Sequence, residues 1–142
     1  MLYRYVLALF LIAVFCQGGS SVGTLVSANS VLLNGKAVPA SATPSWPLAD
    51  QDQVATTTGS ASAILFHGGS RAMMKPETTV KVFQKEGETQ LDISQGAICS
   101  KIVKGSAVHL FALGRDLGIQ APFEGTVSLN SSGQSAIRRM AC

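Results

Sequence analysis

From Thr24 onward, apolar and polar residues alternate with a period of two rather than the 3.6 of a helix. Such alternation places apolar side chains on one face of a strand and polar side chains on the other. Runs of roughly five to eight residues are separated by glycine-containing turns, a spacing typical of sandwiches and barrels. The sequence therefore predicts an all-β fold, a single compact sandwich or roll of short, mostly antiparallel strands after an N-terminal signal helix.

Turn chemistry predicts where several of these strands meet. Asn34-Gly35 lies between apolar runs and favours a type I′ hairpin, because both central residues of that turn need positive φ. Three prolines between residues 39 and 47 indicate a loop or an edge segment. Gly68 and Gly69 are expected to turn the chain between "SASAILFH" and "RAMMK", and Pro76 to end the returning strand.

The later strands follow from the same pattern. In "TQLDIS", Leu91 and Ile93 share one face, and Gly96 is expected to turn the chain into "AICSKIVK". Further strands are predicted at "AVHLFAL", "GIQAPF" and "GTVSLNS". Because "SAILF" is apolar on both faces, we expect it to lie centrally between two layers.

The N-terminus has the pattern of an export signal. Arg4 precedes an unbroken apolar run from residue 6 to Cys16, which is too short for a comfortable membrane span and has the length of a signal-peptide core. Cleavage after Gly18 or Ser21 fits the small residues that follow. We predict a signal peptide or N-terminal anchor over residues 1–21 and one β domain over 22–142. An uncleaved anchor and lipidation of Cys16 are the alternatives, the second weakened by bulky Phe15.

Composition narrows the classes of partner. Formal charge is +3, and without Arg4 ten Lys and Arg residues face eight Asp and Glu. Nucleic-acid binding calls for a dense basic face, and aromatic residues for base stacking make up only 6% of the chain. We therefore expect no nucleic-acid partner. Membrane contact is expected only through residues 1–16, if that segment is not removed.

Three cysteines are present, at positions 16, 99 and 142. Loss of Cys16 with a signal peptide leaves an even pair, and exported proteins meet an oxidising environment. A Cys99–Cys142 disulfide would then tie the last residue to a central strand. The alternative is a buried Cys99 and a free Cys142 at a frayed chain end.

Candidate metal ligands are sparse. Asp50 and Asp52 form a D-x-D pair, but Ca²⁺ needs six or more oxygens and no other carboxylates lie nearby in sequence. We interpret Asp52 as a turn former that accepts a backbone N–H. His67, His109 and Cys99 lack the spacing of a zinc site. No cofactor is predicted.

Catalytic patterns are equally weak. No G-x-S-x-G elbow is present. Paired carboxylates for glycoside hydrolysis could be drawn from Asp92, Asp116 and Glu124, but nothing in the sequence selects them. We predict that the protein is not an enzyme.

Basic residues are concentrated between positions 71 and 104. The set consists of Arg71, Lys75, Lys81, Lys85, Lys101 and Lys104. Outward lysines often protect sheet edges against aggregation, and we interpret them in this way. The functional alternative is contact with an anionic polymer or with lipid headgroups.

The stretch from about residue 48 to 98 resembles the FecR domain, an exported all-β module named for the ferric-citrate regulator. The matching residues form a first turn and strand, a second turn, and a returning strand: Asp52, Val54 and Thr56; Phe66, Gly69 and Ser70; Met74, Pro76, Thr78 and Val80. "LDISQGAI" is similar to the strand-then-glycine element of that family.

The resemblance implies a periplasmic or secreted module that binds or packs against something. In regulatory FecR proteins a cytoplasmic arm controls a sigma factor. Here only Met1 to Tyr5 precede the apolar run, so that role is not expected. The sequence thus indicates a non-catalytic binding or structural module of the bacterial cell envelope, with an envelope protein or an anionic polymer as partner. The alternative is a membrane-anchored sensory domain working with a separate membrane protein.

Overall fold

The computed structural model describes residues 21–27, 31–38 and 45–142, and within these ranges the chain forms strands and no helix. Residues 1–20, which carry the signal-helix prediction, lie outside the described residues. Within the described ranges, no helix has the length and apolarity needed to cross a bilayer. The strands in chain order are β1 Gly23–Ser27, β2 Val31–Leu33, β3 Lys36–Val38, β4 Ser45–Leu48, β5 Gln53–Thr56, β6 Ser62–Phe66, β7 Arg71–Met74, β8 Thr79–Lys85, β9 Glu88–Gln95, β10 Ala97–Ile102, β11 Val108–Ala112, β12 Arg115–Asp116, β13 Phe123–Leu129 and β14 Ser135–Arg139.

The strands form two seven-stranded sheets. Sheet I has the order β14-β13-β10-β7-β6-β1-β4, and sheet II has the order β12-β11-β9-β8-β5-β2-β3. Neighbouring strands are antiparallel except for β9 and β11, which are parallel. The prediction of an all-β, mostly antiparallel fold is confirmed.

One hydrophobic cluster lies between the sheets. Alternate residues of most strands point into it: Leu25 and Ile64 come from sheet I, and Val82, Leu91 and Ile93 come from sheet II. All five are fully buried. Removing one such side chain from water is worth roughly 1.5–3 kcal/mol, so this cluster is the main support of the two-layer arrangement.

Two predicted hairpins are confirmed. Asn34 and Gly35 have φ of 53° and 80° and join β2 to β3, as the type I′ turn requires. Gly68 and Gly69, with φ of 91° and 100°, lie in the turn between the antiparallel strands β6 and β7. Pro76 lies just beyond the end of β7.

Gly96 carries the chain from β9 in sheet II to β10 in sheet I rather than closing a hairpin. Its φ is 86°, and a side chain here would place Cβ 2.7 Å from the Glu77 carbonyl oxygen. Only glycine fits this crossing, because both the backbone conformation and the space exclude a Cβ atom.

One strand prediction and one burial prediction are wrong. Residues 118–122 form no strand, and β13 begins only at Phe123. Pro122 has no N–H to donate to a sheet ladder, which accounts for the break. The segment "SAILF" is not covered on both faces, because Leu65 of β6 is 44% exposed on the outer side of sheet I, between Thr24 and Arg71 of the neighbouring strands.

Candidate functional site

The residues that carry the FecR resemblance are mostly interior. Val54, Thr56, Met74, Thr78 and Val80 are all buried. The Thr56 hydroxyl donates to the Lys75 carbonyl at 2.6 Å and accepts the Thr78 N–H at 2.9 Å. Because unpaired buried hydroxyl groups are destabilising, these bonds support the structure of the motif.

A second buried hydroxyl connection supports the same region. Thr78 donates to the carbonyl oxygen of Ala97 at 3.0 Å and accepts the Ala97 N–H at 3.1 Å. This pair of bonds joins the start of β8 in sheet II to the start of β10 in sheet I. The hydroxyl groups of Thr56 and Thr78 therefore connect the two sheets through hydrogen bonds.

Asp50 and Asp52 organise the loop before β5. Asp52 Oδ2 accepts the Ala49 N–H at 2.7 Å, and its Oδ1 accepts from Asn34 Nδ2 at 2.9 Å. Asp50 Oδ1 accepts the Gln84 N–H at 2.8 Å. Asp52 thus makes the backbone contact expected of a turn former. Among residues 21–27, 31–38 and 45–142, no cluster of three His, Cys, Asp or Glu side chains could hold a metal ion.

The two histidines have separate surroundings. His67 is exposed, and its Nε2 lies 2.9 Å from the Ser21 carbonyl oxygen. His109 Nε2 lies 3.5 Å from a carboxylate oxygen of Glu88. Cys99, the third candidate ligand, is in a disulfide, so these residues form no shared site.

The three carboxylates considered for hydrolysis each accept a hydrogen bond from a backbone N–H group. Asp92 accepts the Gly114 N–H at 3.1 Å, and Asp116 accepts the Gly118 N–H at 2.8 Å. Both aspartates lie opposite Phe111, on the two strands that flank β11 in sheet II, roughly 10 Å apart at two strand spacings. Glu124 belongs to sheet I and accepts the Cys142 N–H at 3.3 Å. The structure does not assemble the three into one site.

The basic residues between positions 71 and 104 are divided between the sheets. Arg71 and Lys101 are cross-strand neighbours on sheet I, whereas Lys81 lies on sheet II, 5.4 Å from the Phe83 ring centre. Their strands β7, β8 and β10 are interior strands. The edge-protection interpretation is therefore wrong for these three residues, because interior strands have both sides paired.

Cys99 and Cys142 form a disulfide, with 5.7 Å between their Cα atoms. Cys142 Sγ lies 3.7 Å from the Ser100 carbonyl oxygen and 3.8 Å from that of Gly125, so the chain end crosses β13 to reach β10. The two cysteines are 43 positions apart in the sequence. In the loop-entropy treatment, such a crosslink is worth roughly 4 kcal/mol.

The strand next to this crosslink contributes no side chain to the core. All five residues of β14 are exposed. Among the strands that the structure describes, β14 pairs with β13 alone, from Gly125 opposite Arg139 to Leu129 opposite Ser135. The Arg139 guanidinium lies 5.6 Å from the centre of the Phe123 ring. Backbone pairing, this ring contact and the disulfide hold β14 in place.

An open cleft of about 870 Å³ lies between the β11–β12 turn and the β13–β14 hairpin. Leu113, Arg115 and Leu117 line one side, and Gly133 and Ile137 line the other. Leu113 and Ile137 are 51% and 46% exposed, which is unusual for two large apolar side chains facing the same space. This cleft is the best candidate for a functional site in the part of the chain that the structure describes.

Leu113 has an unfavourable backbone. Its φ is 50° and that of Gly114 is 78°, the same two-residue geometry that Asn34-Gly35 adopts. A branched, bulky residue with positive φ is a genuine outlier, because its Cβ crowds the backbone. A Cβ on Gly133 would lie 3.2 Å from Leu113 Cδ1, so the leucine reaches across to the opposite loop.

Sequence reasoning missed this cleft. Leu113-Gly114 was the available signal, since leucine stands where a type I′ turn favours asparagine. The sequence matches no protein-family model, no curated protein and no solved structure.

Proposed function

We propose that the protein is an exported, non-catalytic binding or structural module of the bacterial cell envelope, similar to FecR domains. The observation that carries this proposal is the use of the aspartates. All four in the sequence accept a backbone N–H at a loop or strand end, at 2.7 to 3.1 Å. Each aspartate carboxylate thereby has a structural role, which supports a structural or binding module.

The disulfide supports export. Disulfides persist in oxidising compartments and are rare where glutathione and thioredoxin keep thiols reduced. The Cys99–Cys142 bond uses both cysteines that follow the apolar N-terminal run. A module assembled in this way suits the periplasm or the extracellular space.

The FecR resemblance agrees with a module that presents a surface. Its residues build the core and fasten the sheets together, as Thr56 and Thr78 do. Recognition is therefore assigned to exposed positions outside the motif. An envelope protein is the partner class that we favour.

The test is expression of the complete chain in a bacterium, followed by fractionation, N-terminal sequencing and intact mass measurement with thiol alkylation. We expect a periplasmic or secreted species that begins after Gly18 or Ser21 and lacks the two thiol hydrogens lost in the disulfide. A reduced, full-length cytoplasmic species would contradict the proposal. A full-length species in the membrane fraction would instead support the anchored sensory domain.

A further inference from the structure

The outer side of β14 has unpaired backbone groups. The Asn130 N–H donates to the Gln134 carbonyl at 3.0 Å, and the Met140 N–H donates to the Glu124 carbonyl at 3.3 Å. In an antiparallel ladder, alternate residues face the same partner, so positions 134, 136, 138 and 140 face β13. The N–H and C=O groups of Ser135, Ile137 and Arg139 point away from it. Within the described residues, no strand pairs on that side.

This edge has only one of the usual protections against strand addition, its charged side chains. Proteins block edges with proline, bulges, very short strands or charged residues. β4, at the other end of sheet I, contains Pro47, whereas β14 has no proline and no glycine. β14 does carry Arg138 and Arg139, which would repel a basic segment and attract an acidic one.

The cleft lies beside this open edge. Ile137 belongs to both, since it lines the cleft and has outward backbone groups. Across the cleft, Leu113 is held exposed at positive φ, a strained arrangement of the kind that accumulates at binding sites. A strand added to β14 would place every second side chain on the same face as Ile137, next to Leu113.

The positive charge of the cleft and of β14 determines which kind of segment can bind there. Arg115 lines the cleft, and Arg138 and Arg139 lie on β14. Asp116, the acidic side chain at the cleft, already accepts the Gly118 N–H. A second copy of the chain would bring two further arginines of its own β14 against this edge, which disfavours self-pairing.

We propose that the outer edge of β14 and the adjoining cleft bind an extended peptide segment in which apolar and acidic residues alternate. The segment adds to sheet I as a strand, with main-chain bonds to Ser135, Ile137 and Arg139. Its apolar side chains lie between Ile137 and Leu113, and its acidic side chains lie beside Arg138. This inference rests on the proposed function, because it names the partner chemistry of a binding module.

The probe is a synthetic seven-residue peptide of alternating glutamate and valine, titrated calorimetrically into the mature, disulfide-bonded protein. We expect saturable binding together with slowed amide exchange at positions 135, 137 and 139. A peptide of alternating lysine and valine should bind at least tenfold more weakly. Two versions of the glutamate peptide, N-methylated at the odd-numbered or at the even-numbered amides, should differ. Only the version in which the methylated amides face β14 should lose binding.

Two variants test the site itself. Leu113→Asn should keep or raise the melting temperature, because asparagine tolerates positive φ, yet weaken peptide binding about tenfold through the lost apolar contact. Ile137→Pro removes an outward N–H without touching the ladder to β13 and should abolish binding. Leu65→Asn is the matched control, since Leu65 is 44% exposed on the outer face of sheet I, away from the cleft.

Several results would overturn the inference. These are equal binding of the lysine peptide, equal weakening by Leu65→Asn and Leu113→Asn, or a dimer through β14 that the peptide does not displace. Failure of peptide binding in a chain that is exported and oxidised would reject this site and leave the proposed function standing. Peptide binding by a chain that stays reduced in the cytoplasm would reject the proposed function and leave this site standing.

Discussion

At one lateral edge of the two sheets, β3 and β4 place Val38 and Leu48 in the shared core, where Leu48 is 1% exposed. At the other edge, β14 has all five residues exposed, and β12 consists of two exposed residues. The first edge is held by burial, and the second is held by backbone pairing and a disulfide. An edge strand that buries nothing leaves its neighbouring cleft open, and a crosslink is the means by which such a strand stays ordered.

The two edges also differ in their turns. Asn34-Gly35 and Leu113-Gly114 have nearly the same pair of positive φ angles. Asn34 is suited to that geometry and also binds the loop, because its Oδ1 accepts the Gln53 N–H at 2.9 Å. Leu113 gains no such bond and keeps its side chain exposed. Asn34 therefore stabilises the turn at the first edge, whereas Leu113 keeps an apolar side chain accessible at the second edge.

The largest expected effect concerns the crosslink. Replacing both Cys99 and Cys142 with serine should lower the free energy of unfolding by roughly 4 kcal/mol, because the unfolded chain gains the entropy of an open loop. Amide exchange should accelerate first in β14 and much less in β4. Denaturant unfolding and hydrogen exchange measure the two effects. Equal loss of protection at both edges would contradict the comparison.

The next largest difference between the two edges is expected when a side chain is truncated at each of them. Leu48→Ala in β4 should destabilise the protein by roughly 2–5 kcal/mol, because it leaves a cavity at a fully buried site. Ile137→Ala in β14 is the matched change and should destabilise it by less than about 1 kcal/mol, since Ile137 is half-exposed. Denaturant midpoints at constant m-value test this difference. Similar losses for the two variants would show that β14 is buried after all.

Exchange of the turn residues should give smaller effects of opposite sign. Leu113→Asn should raise the free energy of unfolding by about 1 kcal/mol, because asparagine accepts positive φ with less crowding. Asn34→Leu should lower it by roughly 1–3 kcal/mol, since it introduces the same crowding and removes the bonds to Asp52 and Gln53. Thermal unfolding of both variants checks the signs, and a loss of stability in Leu113→Asn would disprove the strain at that turn.

The smallest change in stability is expected at β4, the edge strand of sheet I that contains Pro47. Pro47→Ala should alter the free energy of unfolding by less than about 1 kcal/mol, because Pro47 is exposed in an edge strand. The added N–H should nevertheless make β4 more prone to strand pairing, which would appear as concentration-dependent association in light scattering. A monomeric variant at high concentration would indicate that Pro47 does not protect this edge.

Local features were predictable to a large extent. The alternation that buries Leu91 and Ile93 and the turn at Asn34-Gly35 follow from nearest-neighbour chemistry. The same reasoning failed at Leu65, because apolarity on both faces of a strand does not reveal whether a second layer covers it. It also failed at residues 118–122, where Pro122 interrupts an otherwise strand-like pattern.

The sequence by itself determined the all-β class, the positions of the tight turns and the inward face of most strands, since periodicity of two and positive-φ preferences act over a few residues. Tertiary structure alone decided that β10 lies between β7 and β13, that Cys142 reaches Cys99 over β13, and that β14 is an uncovered edge beside Leu113. Those features depend on pairing between residues far apart in the chain, for which the local pattern carries no information.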